Sequence, residues 1–159
     1  MRIDPVTPAN LPQAACVHAL SWQESHRSIC SPAFVAAHTP DRQAAMLQKE
    51  LDSGKQLYLL TDSEPVGVVA VDGCIIEHLY VLPARQGRGY GSRLLAFAVQ
   101  QCHGVPTLWV LNTNERARRF YEQRGFHQTG RTKYLSDQLH EIEMQFLSPC
   151  TSNPANSAF

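Results

Sequence analysis

The stretch LPARQGRGYGSRLL, residues 82–95, decides how this chain of 159 residues folds. It follows the β-rich run CIIEHLYVL (residues 74–82), and Pro83 ends that strand's pairing because proline has no N–H to donate. A helix then begins around Gly89 to Ser92. The first turn of a helix leaves N–H groups without intrahelical partners and carries about half a positive charge, which attracts phosphate. Glycines at 87, 89 and 91 remove the Cβ atoms that would hold a diphosphate away from those amides. Arg85, Arg88 and Arg93 add local positive charge. A Gly-rich turn between strand and helix is the plain alternative. A Walker loop needs Gly-Lys-Ser/Thr, whereas Gly91 here precedes Ser92-Arg93, and the spacing Gly-x-Gly-x-Gly departs from the dinucleotide fingerprint Gly-x-Gly-x-x-Gly. The implied ligand is phosphorylated but is neither a P-loop nucleotide nor NAD.

Outward from this loop the elements alternate, with no internal repeat. MRI reads as a short first strand before the Pro-rich DPVTPANLP. Ala15, Ala19, Trp22 and His26 recur near helical spacing, so residues 11–28 read as a helix that Ser31-Pro32 interrupts. Asp41 to Leu51 reads as a second helix closed by Gly54. QLYLLT, PVGVVAV and CIIEHLYVL are strands separated by the turn signals DSEP and DG. After the helix at 91–102 come the buried strand TLWVL, a helix at 114–124 ending at Gly125, and the antiparallel pair FHQTGRTKYL and HEIEMQFL. The fold class is therefore α/β, helices around a mixed and mostly antiparallel sheet. Residues 1–147 read as one domain and 148–159 as a loose tail with little to bury.

Composition narrows the partners. Lysines and arginines number 14 and so do the carboxylates, so neither a nucleic acid nor a membrane surface is an expected partner. No apolar run approaches the roughly 20 residues of a membrane span, and the N-terminal residues lack the basic and apolar regions of a signal peptide. The five cysteines are odd in number, widely spaced and never in a Cys-x-x-Cys pair. That suits free thiols in a reducing cytoplasm, and with the seven histidines scattered no metal site is expected.

Two motifs in register resemble those of the GNAT N-acetyltransferases. Leu79-Tyr80-Val81-x-Pro83-x-x-Gln86-Gly87-Arg88-Gly89-Tyr90-Gly91-x-x-Leu94-Leu95 is similar to that family's acetyl-CoA signature, with Gln86, Gly89 and Gly91 on its Gln/Arg-x-x-Gly-x-Gly/Ala core. The second match is Asn114-Glu-Arg-Ala117-Arg-Arg-Phe120-Tyr121-Glu-Gln-Arg-Gly125-Phe126, and the resemblance runs from about residue 56 to 147. It implies a GNAT fold whose sheet splays between the fourth and fifth strands. It further implies acetyl-CoA as acyl donor, no metal, and a small-molecule or peptide amine as acceptor, with a homodimer among the assemblies it allows. The backbone of Leu79, Tyr80 and Val81 would bind the pantetheine arm. The amides around Gly87, Arg88, Gly89, Tyr90, Gly91 and Ser92 would bind the diphosphate, and Asn114 would contact the cofactor. Tyr121 would stand near the CoA sulfur as general acid, since transfer to an amine expels a thiolate that a phenol can protonate. Because Ala117, Phe120 and Tyr121 share one helix face, Tyr121 also reads as a core residue.

The proton of the acceptor amine needs a base. Strict alternation along residues 74–82 puts Glu77 on a face with Leu79 and Val81 and turns His78 and Tyr80 the other way. Glu77 is then the expected base, directly or through water, against the plainer reading of a salt-bridged strand carboxylate. His78 reads as a satisfied structural histidine. Some family members that acetylate protein N-termini carry a glutamate five residues before the matching asparagine. Trp109 stands there instead and reads as an aromatic wall of the acceptor site. Trp22, His26 and Phe34 fall where the family's first helices shape the acceptor pocket, with core packing as their alternative. Two further classes stay open at this point: a non-catalytic acyl-CoA sensor, and a phosphate-ligand domain unrelated to acyl transfer.

Overall fold

The structure, a computed structural model, describes residues 1–147. The expected tail at 148–159 lies outside the described residues. The chain divides into two compact units, one of Met1–Gly104 and one from Val105 onward.

In the first unit the sheet order is β1 (Arg2–Pro5), β2 (Gln56–Asp62), β3 (Glu64–Asp72), β4 (Ile75–Val81), every neighbouring pair antiparallel. Leu57 to Leu60 and Val66 to Val71 are buried without a break. Such apolar runs need cover on both faces of the sheet, and helices supply it. Helices α1 (Leu11–His26) and α3 (Pro40–Asp52) pack together, with α1 lying on β3 and β4. Ala14, Ala15 and Val17 of α1 and Leu47 of α3 enclose a core with Leu57, Leu59, Val68 and Ala70. Helix α4 (Tyr90–Gln101) also packs on β3 and β4.

Helix α1 ends at His26, two residues earlier than periodicity suggests. The Ser31-Pro32 break begins a short helix that the sequence reading lacks, α2 (Pro32–Ala36), whose Ser31 Oγ accepts from the Phe34 N–H at 3.3 Å. Thr39 repeats the device for α3, accepting from the Arg42 N–H at 3.3 Å, with Pro40 in the first turn. Residues 27–39 are therefore two helix starts in close succession.

The larger correction concerns β4. Val68 pairs with Tyr80 but Ala70 pairs with Glu77, so His78 and Leu79 together oppose Val69. His78 has φ 50°, a left-handed conformation uncommon for a non-glycine residue and costing on the order of 1–3 kcal/mol. One extra residue reverses alternation downstream of it. Glu77 consequently shares its face with Tyr80, and Val81 lies on the opposite side against Leu94 and Gly67. The expected grouping of Glu77 with Val81, away from His78 and Tyr80, does not hold.

The second unit has β5 (Thr107–Leu111), α5 (Glu115–Glu122), β6 (Phe126–Tyr134) and β7 (His140–Phe146), with order β5-β7-β6 and antiparallel pairing. Leu108, Val110, Phe126 and Met144 are buried hydrophobic residues of this unit. Beyond Phe126 the edge strand β6 is exposed, and it carries Arg131 and Lys133, charges that oppose edge-to-edge pairing.

Gly67 tests the packing of the first unit. A Cβ there would stand 2.7 Å from Leu94 Cδ1 and 3.1 Å from the Tyr80 carbonyl oxygen. The leucine tip can turn aside, but the strand carbonyl cannot. Gly67→Ala is expected to lower stability by about 1–3 kcal/mol, read from urea unfolding, as other overpacked cores do.

Candidate active site

After β4 the chain makes a short 3-10 turn, Pro83–Arg85, and Gln86 Nε2 donates to the Val81 carbonyl at 3.1 Å across it. Gly89 is the N-cap of α4 in the left-handed conformation, φ 84°, and no side chain caps this helix. Gly87 is left-handed too, φ 75°, and no described heavy atom lies within 4 Å of where a Cβ would stand on either glycine. The loop is thus a bare backbone against open space at a helix N-terminus, which fits an anionic diphosphate. Arg85 is committed to an ion pair with Glu64, so it is not a loop cation as composition suggests. Arg88 and Arg93 are exposed and make no ion pair among the described residues. Tyr90 is buried, and its hydroxyl donates to Asp62 Oδ2 at 2.6 Å. The β2–β3 turn thereby braces the loop at two points, through Asp62 and Glu64.

Beside this loop, the β4 bulge belongs to a polar network that sequence reading missed. Glu50 on α3 accepts from His78 Nε2–H at 3.0 Å and from Lys55 Nζ at 3.2 Å. Lys55 also donates to Glu77 at 2.5 Å. His78 Nδ1 stands 3.2 Å from Nε2 of His18, a side chain 2 % exposed on the inner face of α1. Burial favours a neutral Glu50, but the hydrogen bonds and charge of His78 and Lys55 outweigh it and hold the carboxyl below its ordinary range. Burial lowers Lys55 as well, and the two carboxylates reverse that and raise it. An ionised Glu50 makes His78 donate through Nε2 and leaves Nδ1 for the contact with His18. Glu50, Glu77 and His78 are close enough to chelate a cation, but Lys55 Nζ already takes that position between the carboxylates. The donor set fits a lysine bridge, not a metal. No spacing in the sequence joins residues 18, 50, 55 and 78; only α1 and α3 lying together on the sheet does.

Trp22 is stacked between His26, centroids 3.9 Å apart, and His38, 3.5 Å apart. Phe34 meets both Trp22 and His38 edge-on. Trp22, His26 and Phe34, expected at the acceptor pocket, do come together, and the unforeseen His38 completes the stack. Gln23 Nε2 ties this arrangement to α1 by donating to the His38 carbonyl at 2.8 Å. Burial, reinforced by His38, holds His26 below its usual 6.5, against the opposing hydrogen bond to the Trp22 carbonyl. Phe34 is 49 % exposed, so it is not the core residue that was its alternative reading.

In the second unit, Asn114 spends its side-chain oxygen on capping α5, accepting from the Ala117 N–H at 3.1 Å. That leaves its amide N–H groups for a ligand. Tyr121 packs edge-on against Phe120 and Phe126. Burial pushes its phenol up to about 12, so it is fully protonated at neutral pH. Trp109 lies under Lys133, whose Nζ is 4.5 Å from the ring centroid. Trp109 pairs in register with Glu143, a buried carboxylate held by Arg131 at 3.2 Å and by the Thr129 hydroxyl at 2.8 Å. Glu143 went unnoticed in the sequence because it stands in phase with Glu141 and Gln145 on β7, the pattern of a solvated strand face.

A bare, Gly-rich helix start directly after a bulged strand in an α/β fold is suited to a phosphorylated ligand. Comparison with known proteins agrees. The family profile for the acetyltransferase (GNAT) domain matches residues 25–147, and the chain belongs to this family of acetyltransferases. A Mycobacterium tuberculosis protein named as a probable N-acetyltransferase is 28 % identical over 147 residues, covering 83 % of each chain. Among solved structures, a GCN5-related N-acetyltransferase from Rhodopseudomonas palustris superposes with TM-score 0.67 at 22 % identity, covering 91 % of this chain and 94 % of that one. The PaiA N-acetyltransferase of Thermoplasma acidophilum, solved with coenzyme A, gives 0.64 at 16 % identity, covering 92 % and 100 %. These structural likenesses concern the fold.

The buried histidine makes a prediction about pH. Burial, with His78 adding to it, lowers His18 from 6.5 to about 3. The unfolded chain therefore takes up a proton near 6.5 that the folded chain refuses until about 3, and stability falls as pH drops between them. His18→Leu is expected to reduce the slope of unfolding free energy between about pH 6 and 4 by one proton, about 1.4 kcal/mol per pH unit. Urea titrations of both proteins across that range measure it.

Proposed function

We propose that this chain is an acetyl-CoA-dependent N-acetyltransferase acting on a primary amine of a small molecule or peptide, in a single domain of residues 1–147, as a cytoplasmic enzyme. The observation that carries the reading is the left-handed, side-chain-free cap of α4 at Gly89, open to solvent directly after β4. Acetyl-CoA supplies the acetyl group and departs as the thiol. The amides from Gly87 to Ser92 bind its diphosphate, helped by Arg88, while Gln86 and Tyr90 hold the loop in shape. The backbone of Leu79, Tyr80 and Val81 receives the pantetheine arm as an added strand, and Asn114 contacts it through its amide.

Tyr121 serves as general acid. A phenol raised to about 12 is protonated at neutral pH, so it has a proton to give to the sulfur as the carbon–sulfur bond breaks. Glu77 serves as the base, through a bound water, and Lys55 holds it in place by an ion pair. Trp22 and His26, with the rings of His38 and Phe34 beside them, contact the acceptor.

Calorimetry with CoA, ATP and NAD tests the donor, and release of free thiol over a panel of amines tests the reaction. Gly91→Val is the informative loop variant, because Gly91 is a helical residue without the positive φ of Gly87 and Gly89. It is expected to weaken CoA at least tenfold, about 1.4 kcal/mol, while unfolding normally. Equal affinity for CoA in a folded Gly91→Val protein would remove the diphosphate from this loop. Tyr121→Phe keeps the ring and its packing. General acid catalysis is worth about 10²–10⁴-fold, so kcat is expected to fall at least tenfold with little change in acetyl-CoA binding. Preserved turnover would make Tyr121 a packing residue.

A further inference from the structure

We infer that His78, clamped between Glu50 and His18, is a positioning residue that holds the β4 bulge in the shape needed to receive the cofactor arm. The inference rests on the reading above that Leu79 to Val81 bind the pantetheine. Its basis is the combination of an unfavourable backbone and a side chain tied at both ends. His78 adopts φ 50°, a left-handed conformation that only a few per cent of non-glycine residues take, histidine more readily than most. Such a conformation persists only where its surroundings over-determine it. Here both ring nitrogens are engaged, Nε2 by Glu50 on α3 and Nδ1 by His18 on α1. Two different helices therefore grip one residue of the strand.

The grip has a consequence for the next three residues. Because His78 and Leu79 together oppose Val69, the backbone from Leu79 to Val81 is shifted by one residue relative to an unbulged strand. That shift carries Tyr80 onto the α1 side, where its ring meets His18 edge-on at 5.0 Å. The N–H and C=O groups of residues 79–81 are turned over with it. A strand whose bulge relaxed to ordinary alternation would present the opposite set of backbone groups. Glu50 is in turn anchored by Lys55, so the clamp reaches from α3 through the start of β2 to Glu77.

Coenzyme A binding to the full chain, measured by calorimetry beside thermal unfolding, provides the test. Glu50→Ala removes the acceptor from His78 Nε2. His78→Gly removes both hydrogen bonds while giving the left-handed position a residue that adopts it freely. Both are expected to weaken CoA at least fivefold and to speed amide exchange at residues 79–81. Glu50→Gln retains an oxygen for His78 Nε2–H and is expected to bind CoA within twofold of the native chain. A residue important only for packing would lower the melting temperature of all three and leave CoA affinity alone. Folded Glu50→Ala and His78→Gly proteins that bind CoA within twofold of the native chain overturn the inference, and His78→Gly decides alone if Glu50→Ala does not fold. Gly91→Val separates this from the cofactor reading. If Gly91→Val weakens CoA and the clamp variants do not, the clamp fails and the cofactor reading stands. If Gly91→Val leaves CoA untouched, the loop assignment itself is lost.

Discussion

The left-handed backbone at His78 is the constraint around which the first unit is arranged. It inserts one residue into β4 and so decides which side chains of that strand meet α1 and which meet α4. Without it, Tyr80 would face α4 and Val81 would face the two histidines. The strand before the bulge and the strand after it are, in effect, two short strands of opposite phase. Hydrogen bonds from two helices keep them in that relation.

Holding the bulge with charged groups has an electrostatic cost, and the arrangement of the network limits it. A half-buried carboxylate, lysine and histidine would each be costly alone, because desolvation penalises the charged form. Placed in series, each supplies the partner the next one needs: Glu77 to Lys55, Lys55 to Glu50, Glu50 to His78, and His78 to His18. Burial keeps His18, at the inner end, neutral at physiological pH, so the chain of charge stops at an uncharged acceptor–donor. Removing a middle member strands the others, which is why such a network specifies one geometry more sharply than an apolar cluster of equal size.

The Gly-rich loop before α4 depends on a different balance. Its glycines give up packing and conformational restriction in exchange for access to the backbone, so its shape must be imposed from outside. The β2–β3 turn does this through Tyr90–Asp62 and Arg85–Glu64, and Gln86 closes the turn on Val81. The arginine nearest the strand is thus a brace, and the positive field at the helix start comes from Arg88, Arg93 and the backbone itself.

Much of this was legible in the residues alone. Local chemistry determined the strands from Gln56 to Val81, the Gly-rich opening of α4 and the final hairpin, because apolar runs and turn residues act over a few positions. Helical spacing put Trp22 and His26 on one face of α1. What sequence could not supply was any relation between distant residues. His18, Glu50, Lys55 and His78 are separated by as many as 60 positions, and only the packing of α1 and α3 on the sheet joins them. The faces of Glu77 and Tyr80 were misread for the same reason. Alternation is a property of an isolated strand, whereas a bulge is stabilised by what the bulged residue's side chain finds across the core.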